Sequence, residues 1–310
     1  MENASIMVVE DELIVAEGLK MTLTGMGYTV PRTAGSSEEA LVDVDECAPD
    51  LILMDIVLEG SGMDGVETAR RIRARYDIPV IFVTAYADDE TLERVKTTEP
   101  SAYLLKPFNE RELHSAIELA LHRHRVGLDE KKRRAIQFAT SFAVEWFLRY
   151  LRDSRREGEN PDRLWNKGIV EILDHIRLAV DARSVTVFHM DPDMEGAGSA
   201  SVRYDSAGLG SSGPAVYAGT GADSLRFTTP LWRSLLAEGN AIAGEVRMLP
   251  DEERKYFEGR GVASVAILPI VKDNGLWGFI SYTDATTRDW SDGEIEALMF
   301  TGDIIGAMMD

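Results

Sequence analysis

One cysteine among 310 residues, Cys47, is too few for an internal disulfide. Its expected place is as a small apolar residue on a helix. No apolar run is long enough to span a bilayer, and residues 1–10 lack the basic-then-apolar layout of a signal peptide. Together these absences point to a cytoplasmic chain with no membrane association. Basic residues are also scarce: 33 Lys and Arg stand against 53 Asp and Glu, a net charge of -20. Residues 1–127 hold 12 basic and 24 acidic groups, 128–160 hold 8 and 6, and 161–310 hold 13 and 23. Two acidic regions flank a mildly basic connector. Such a field repels phosphate backbones, and no recognition-helix or zinc-finger spacing offsets it, so nucleic acid is excluded as a partner. The length predicts two domains.

What is present begins with alternation. Strand-like runs fall near 5–9, 28–31, 51–54, 78–83 and 101–105. Amphipathic stretches lie between them near 12–26, 36–47, 64–75 and 88–98, and another starts at 110. Gly27, Pro49, Pro79 and Pro100 punctuate the joins. Strands alternating with helices of this length predict an α/β doubly wound, five-stranded parallel sheet. In such a sheet ligands bind beyond the carboxyl ends of the strands. Four runs deliver polar groups to that edge: Glu10-Asp11 after Ile6–Val9, Asp55 after Leu51–Met54, Thr84 after Val80–Val83, and Lys106 after Ala102–Leu105. Three carboxylates, a hydroxyl and an ammonium suit a divalent metal and a phosphoryl group.

Past Leu113 the helical pattern continues through Ile117 and Leu121, across Gly127, to the basic cluster Lys131-Lys132-Arg133-Arg134. Ile136, Ala139, Ala143, Trp146 and Tyr150 then recur at helical spacing, with Phe142, Phe147 and Leu151 beside them. The stripe either packs on its own chain or dimerises as a signalling helix. Gly158 and Pro161 close it. A helix near 162–180 leads to an alternating strand over 184–190, a weak strand over 200–204 and a helix near 228–238. Two strands, 262–271 and 276–283, flank Asn274-Gly275, a hairpin signal. Ser291 and Glu294 predict a capping box that opens a last helix to about Met308. These elements make an α+β domain with an antiparallel sheet. The expected organisation is therefore 1–125, a helical connector over 126–160, and 161–310.

The motifs Val8-Val9-Glu10-Asp11-Glu12, Leu53-Met54-Asp55-Ile56, Met63-Asp64-Gly65, Val83-Thr84-Ala85 and Leu105-Lys106-Pro107-Phe108 occur in order. With them, residues 4–125 closely resemble the receiver domain of two-component response regulators. The resemblance implies that Asp55 accepts a phosphoryl group from a sensor histidine kinase, with Mg²⁺ as cofactor. Asp11 and Asp55 would ligate the metal directly, Glu10 through water, and the Val57 carbonyl would complete the protein ligands. Lys106 and Thr84 would contact phosphoryl oxygens, and Lys106-Pro107 would be cis. Tyr103 is either an aromatic switch coupled to Thr84 or a partly buried strand tyrosine. Val57 and Tyr86, two residues after the acceptor and the threonine, offer nothing to orient a water, which implies slow self-dephosphorylation.

Residues 165–310 resemble a GAF domain through Ala182–Phe188, Gly244-Glu245-Val246 with Leu249-Pro250, Gly261–Val265, Leu268-Pro269-Ile270, Gly275–Ile280 and Arg288-Asp289-Trp290-Ser291. GAF domains are six-stranded antiparallel sheets that hold a small ligand or dimerise. The absence of cysteine from this half rules out a thioether-linked bilin. The cyclic-nucleotide residue set is not found. His175 and His189 read as satisfied structural histidines rather than haem ligands, and Trp232, Trp277 and Trp290 as core rather than pocket lining. The ligand or protein partner of this domain is not named by the sequence.

The function implied is a non-enzymatic, cytoplasmic response regulator, a phosphoprotein of phosphorelay signal transduction that passes its signal through a helix to a GAF domain. A homodimer through the receiver or the connector helix is expected. The alternative is a small-molecule sensor whose receiver serves as a dimerisation platform. A third reading, an enzyme on a GAF-like fold, finds no metal-ligand spacing and no nucleophile with a base in residues 161–310.

Overall fold

The computed structural model describes residues 4–85, 94–95, 98, 100–153, 161–190, 199–206, 215–216, 224–226, 230–273 and 275–308. The chain divides into two compact units, Met1–Leu128 and Asp129–Asp310.

In the first unit, strands β1 (Ile6–Val9), β2 (Thr33–Ala34), β3 (Leu51–Asp55), β4 (Val80–Thr84) and β5 (Ala102–Leu105) form a parallel sheet in the order β2-β1-β3-β4-β5. Helices α1 (Leu13–Gly25), α2 (Ser37–Cys47) and α3 (Gly65–Arg73) connect the early strands. Strands β1, β3 and β4 read as apolar runs because both faces are covered. Ile6, Val8, Leu51, Leu53, Ile81 and Val83 pack with Leu19 and Leu23 of α1, while Met7, Val9, Ile52, Met54 and Phe82 pack with Val44 of α2 and Ile72 of α3. Polar starts are capped as their residue types require. Ser36 Oγ accepts from the Glu39 amide at 3.2 Å, and Asp64 Oδ1 from the Glu67 amide at 2.9 Å.

One strand lies elsewhere than its apolar pattern suggests. Residues 28–31 make a single bridge, Ser5 to Thr29, and the regular ladder begins at Thr33. The amides of Ile6, Val8 and Glu10 donate to the carbonyls of Thr29, Arg32 and Ala34, so one extra residue intervenes between the first two acceptors. Pro31 sits in that irregular step, where its missing N–H breaks no ladder bond. The amphipathic stretch expected near 88–98 falls largely outside the described residues, as does Tyr86.

Helix α4 runs unbroken from Glu110 to Asp153, 44 residues, straight through Gly127. Asn109 and Glu112 open it with a reciprocal capping box, each side chain accepting from the other's backbone amide at 2.9 and 3.1 Å. Its first turns bury Leu113, Ile117 and Ala120 in the first unit's core.

In the second unit, β6 (Ser184–Met190), β7 (Ser199–Asp205), β8 (Ala215–Val216), β9 (Ser224–Arg226), β10 (Ile242–Glu245), β11 (Ser264–Lys272) and β12 (Gly275–Asp284) form one antiparallel sheet. Its order is β10-β11-β12-β6-β7-β8, with β9 also paired to β7. Among the described residues the strands number seven rather than six, with short β8 and β9 both paired to β7. Helices α5 (Pro161–Ala179) and α8 (Asp292–Met308) cover one face, and α6 (Pro230–Ala237) and α7 (Asp251–Glu258) the other. The hairpin between β11 and β12 pairs Lys272 with Gly275 across the turn.

The aromatic stripe of α4 packs on its own chain. Ile136, Ala139 and Ala143 are buried against Ile169, Leu173 and Ile176 of α5 and Leu298 and Ile305 of α8. Trp146 stacks with Tyr150 and meets Trp165 edge-on. Of the expected Ser291–Glu294 capping box, half forms. Ser291 Oγ accepts from the Glu294 amide at 3.2 Å, but the Glu294 carboxylate turns instead to Arg288 and to Lys132 at 3.6 Å. Its side chain is buried, so two cations outweigh one cap.

Gly168 on α5 gives a test of this packing. A Cβ there would fall 1.5 Å from the Trp146 ring. Helix propensity alone favours Ala over Gly by about 1 kcal/mol. Packing is expected to win, so Gly168→Ala should lower the melting temperature and alter tryptophan fluorescence. A higher melting temperature would mean the ring has room to move.

Candidate metal and phosphoryl site

The four strand ends converge because a parallel sheet places all its carboxyl termini on one edge. Glu10 and Asp11 follow β1, Asp55 ends β3, Thr84 ends β4, and Lys106 follows β5. One ligand atom from each of Glu10, Asp11 and Asp55 lies within 4.8 Å of the others. Lys106 Nζ donates to Asp55 Oδ2 at 2.6 Å and to Glu10 Oε2 at 2.7 Å. The Lys106–Pro107 bond is cis, and the Lys106 amide donates to the Thr84 carbonyl at 2.8 Å.

Backbone donors hold the acids in place. The Val57 amide donates to Asp55 Oδ1 at 3.0 Å, and the Glu59 amide to Asp11 Oδ2 at 3.1 Å. The Glu59 contact has no signature in the sequence, since it joins two loops 48 residues apart. Gly65, marked in the sequence by the Met63-Asp64-Gly65 motif, meets a second requirement of the site. A Cβ there would fall 1.8 Å from the Asp55 carbonyl oxygen, so only glycine lets α3 start beside the strand end.

Electrostatics follow from burial. Glu10 is 3% exposed. Desolvation pushes its carboxyl above the ordinary glutamate value; the hydrogen bond from Lys106 opposes this and the neighbouring Asp55 charge adds to it. Burial works against the Lys106 ammonium, yet its hydrogen bonds to Asp55 and Glu10 outweigh that and hold its pKa above the ordinary lysine value. The buried Glu10 Oε1 has no hydrogen-bond partner. An anionic, all-oxygen donor set with one orphaned buried oxygen fits a hard divalent cation.

Thr84 is buried at the end of β4, whereas Tyr103 on β5 is 54% exposed. In the second unit, the His175 ring stacks on Phe142 with centroids 4.0 Å apart, and His189 meets Trp277 edge-on at 4.7 Å. Trp232 lies in the core formed with Phe257 and Phe279, and Trp277 and Trp290 pack on the opposite core. Arg288 stacks over Trp290 at 4.0 Å.

Fold and strand-edge acids together define a regulatory signalling chain. It consists of a response regulator receiver domain, matched over residues 6–118, followed by a GAF domain, matched over 170–308. Both are regulatory modules. The transcriptional regulatory protein PdtaR of Mycobacterium tuberculosis is 32% identical over 120 residues, covering 39% of this chain and 58% of PdtaR. The transcriptional regulatory protein YvrH of Bacillus subtilis is 37% identical over 123 residues, covering 40% of this chain and 51% of YvrH. The chain thus spans little more than half the length of these relatives. The signal receiver domain of a modulated diguanylate cyclase from Desulfovibrio desulfuricans is a structural relative at 38% identity, covering 40% of this chain and 98% of that one, with a TM-score of 0.39. Among the described residues, no helix is long and apolar enough to cross a membrane.

Replacing Lys106 by Met would leave Glu10 and Asp55 facing each other with no cation between them. In EDTA the variant should lose about 1–3 kcal/mol of stability, the usual cost of orphaning buried hydrogen-bonding groups. Mg²⁺ should recover more melting temperature in the variant than in the parent. Equal melting temperatures in EDTA would show that the lysine does not hold the acids together.

Proposed function

We propose that this chain is a two-component response regulator in which Asp55 accepts a phosphoryl group from the phosphohistidine of a sensor kinase. The observation that carries the reading is the contact of Lys106 with both Asp55 and Glu10, beside Asp11. An Asp55 oxygen forms the new P–O bond while the P–N bond to the kinase imidazole breaks, and the imidazole leaves with that electron pair. Asp55 Oδ1 is oriented by the Val57 amide, which leaves less reorganisation for the attack. Lys106 moves its ammonium from the carboxylate to the incoming phosphoryl oxygens, and the Thr84 hydroxyl donates to another. A Mg²⁺ held by Glu10, Asp11, Asp55 and the Val57 carbonyl would offset charge on the transferring group.

The output reading is a relay. Phosphorylation draws Thr84 and Tyr103 toward the site and shifts the packing of α4, which passes the change to the GAF domain. That domain answers by binding a ligand, a protein partner or a second copy of the chain. No catalytic step is assigned to it. The alternative, a small-molecule sensor with a receiver that only dimerises, leaves the acid, threonine and lysine set without a purpose.

Two experiments test these statements. With Mg²⁺ and acetyl phosphate, the protein should gain one acid-stable, base-labile phosphoryl group, seen by intact mass. Asp55→Asn should abolish it, because the amide is neither nucleophilic nor a charged ligand. Phosphorylation that persists in the variant moves the acceptor elsewhere. For the relay, amide exchange across 129–153 should change on phosphorylation. Identical protection at equal dimer fraction would mean that the two domains act independently.

A further inference from the structure

The loop between β3 and α3 carries much of the strand-edge site, yet its sequence gives it little shape of its own. Gly60, Ser61 and Gly62 stand at its middle, and Gly60 holds a φ of +76°, which favours glycine. Two of its amides face the acids: Val57 N–H donates to Asp55 Oδ1 and Glu59 N–H to Asp11 Oδ2. On one flank the loop borders a cavity of about 370 Å³ lined in part by Leu58, Met63 and Arg94, so packing supports it less there. On the other flank stands the first turn of α2. Ser37, the first residue of that helix and wholly buried, makes two bonds to the loop. Its amide, which has no acceptor within its own helix, donates to Ser61 Oγ at 3.1 Å. Its hydroxyl donates to the Met63 carbonyl at 2.8 Å. Beside it the Glu38 carboxylate accepts from the Gly62 amide at 3.2 Å. Three bonds thus tie Ser61, Gly62 and Met63 to Ser37 and Glu38.

We infer that Ser37 is a positioning residue for the metal and phosphoryl site, acting through the loop that it holds. The inference deepens the phosphotransfer reading above and rests on it. The bonds of Ser37 reach the loop rather than the acids. What they fix is the path of residues 57–63. With that path goes the Val57 carbonyl that would face Mg²⁺, and the two amides that hold Asp55 and Asp11. Mg²⁺ demands near-ideal octahedral geometry, so a carbonyl ligand on a loosened loop binds it less well. Of the three bonds, the one from Ser37 Oγ is the shortest and its donor is shielded from water, whereas Glu38 is exposed and can exchange its bond for water. Removing the hydroxyl frees the end of the loop nearest α3. Helix α2 keeps its cap, because Ser36 and not Ser37 accepts from the Glu39 amide. The competing role is that of a brace that stabilises the fold and leaves the geometry of the site alone.

The test uses the full chain carrying Ser37→Ala. The comparison is Val44→Ala, which removes a core contact from the same helix and none of the loop's hydrogen bonds. By calorimetry, Ser37→Ala should bind Mg²⁺ about tenfold more weakly, the lower end of the loss when a group supporting a metal ligand is removed. In EDTA, amide exchange should quicken at Val57 and Glu59, whose acceptors are the two acids. At saturating Mg²⁺ the variant should still take up one phosphoryl group from acetyl phosphate, because Asp55 is untouched. Val44→Ala should lower the melting temperature at least as much and bind Mg²⁺ as the parent does. Should Ser37→Ala not fold, Ser61→Ala carries the same test, since it removes the acceptor of the Ser37 amide from the loop's side. Unchanged Mg²⁺ affinity in the loop variant, or an equal fall in Val44→Ala, overturns the positioning role alone. A parent chain that binds no Mg²⁺ and takes up no phosphoryl group overturns the phosphotransfer reading, and this inference with it.

Discussion

The ammonium of Lys106 is the charge on which the strand edge depends. Two carboxylates, Glu10 and Asp55, lie almost wholly out of water within hydrogen-bond reach of it. Without a cation between them, their repulsion and desolvation would oppose the convergence that the sheet enforces. The lysine is therefore the structural counter-charge of both acids. The same carboxylates that hold it would hold a divalent cation, so metal and lysine share the acids rather than standing in separate places. Glu10, raised above its ordinary pKa by burial and with one oxygen unpartnered, is the group that a cation would relieve most.

A second constraint comes from helix α4. Its first turns are buried by Leu113, Ile117 and Ala120 in one core, and its later turns by Ile136, Ala139 and Ala143 in another. Packed interiors resist small displacements, so each core fixes the turns of the helix that it buries. The Lys132–Glu294–Arg288 cluster adds a charged anchor where the helix enters the second core. Burial of Glu294 makes that anchor costly to break.

Legibility divided along physical lines. The three central strands of the first sheet, β1, β3 and β4, lie on both-face-buried runs that need no tertiary information to recognise, and the polar strand ends Glu10-Asp11, Asp55 and Thr84 were visible where those runs break. The partners of those groups were not. That Lys106 touches both acids, and that the Glu59 amide supports Asp11, depends on loop paths set by contacts far apart in the chain. Gly65 was visible as part of a motif, but its reason, a backbone passing against Asp55, exists only in three dimensions.

The amino-acid pattern alone determined the α/β alternation, the helix that runs on past Leu113, the antiparallel hairpin before the last helix, and which residues stand at the strand edge. These follow from local periodicity and from breakers such as Pro79 and Gly27, which act within a few residues of themselves. Tertiary structure decided that the aromatic stripe of α4 is covered by its own chain, where β2 joins β1 around Pro31, and that Glu294 serves Arg288 and Lys132 rather than its own helix cap. Each of those outcomes is a competition between a local preference and a distant partner. Burial settles such competitions, because desolvating a charge or an aromatic ring outweighs the fraction of a kilocalorie that local propensity supplies.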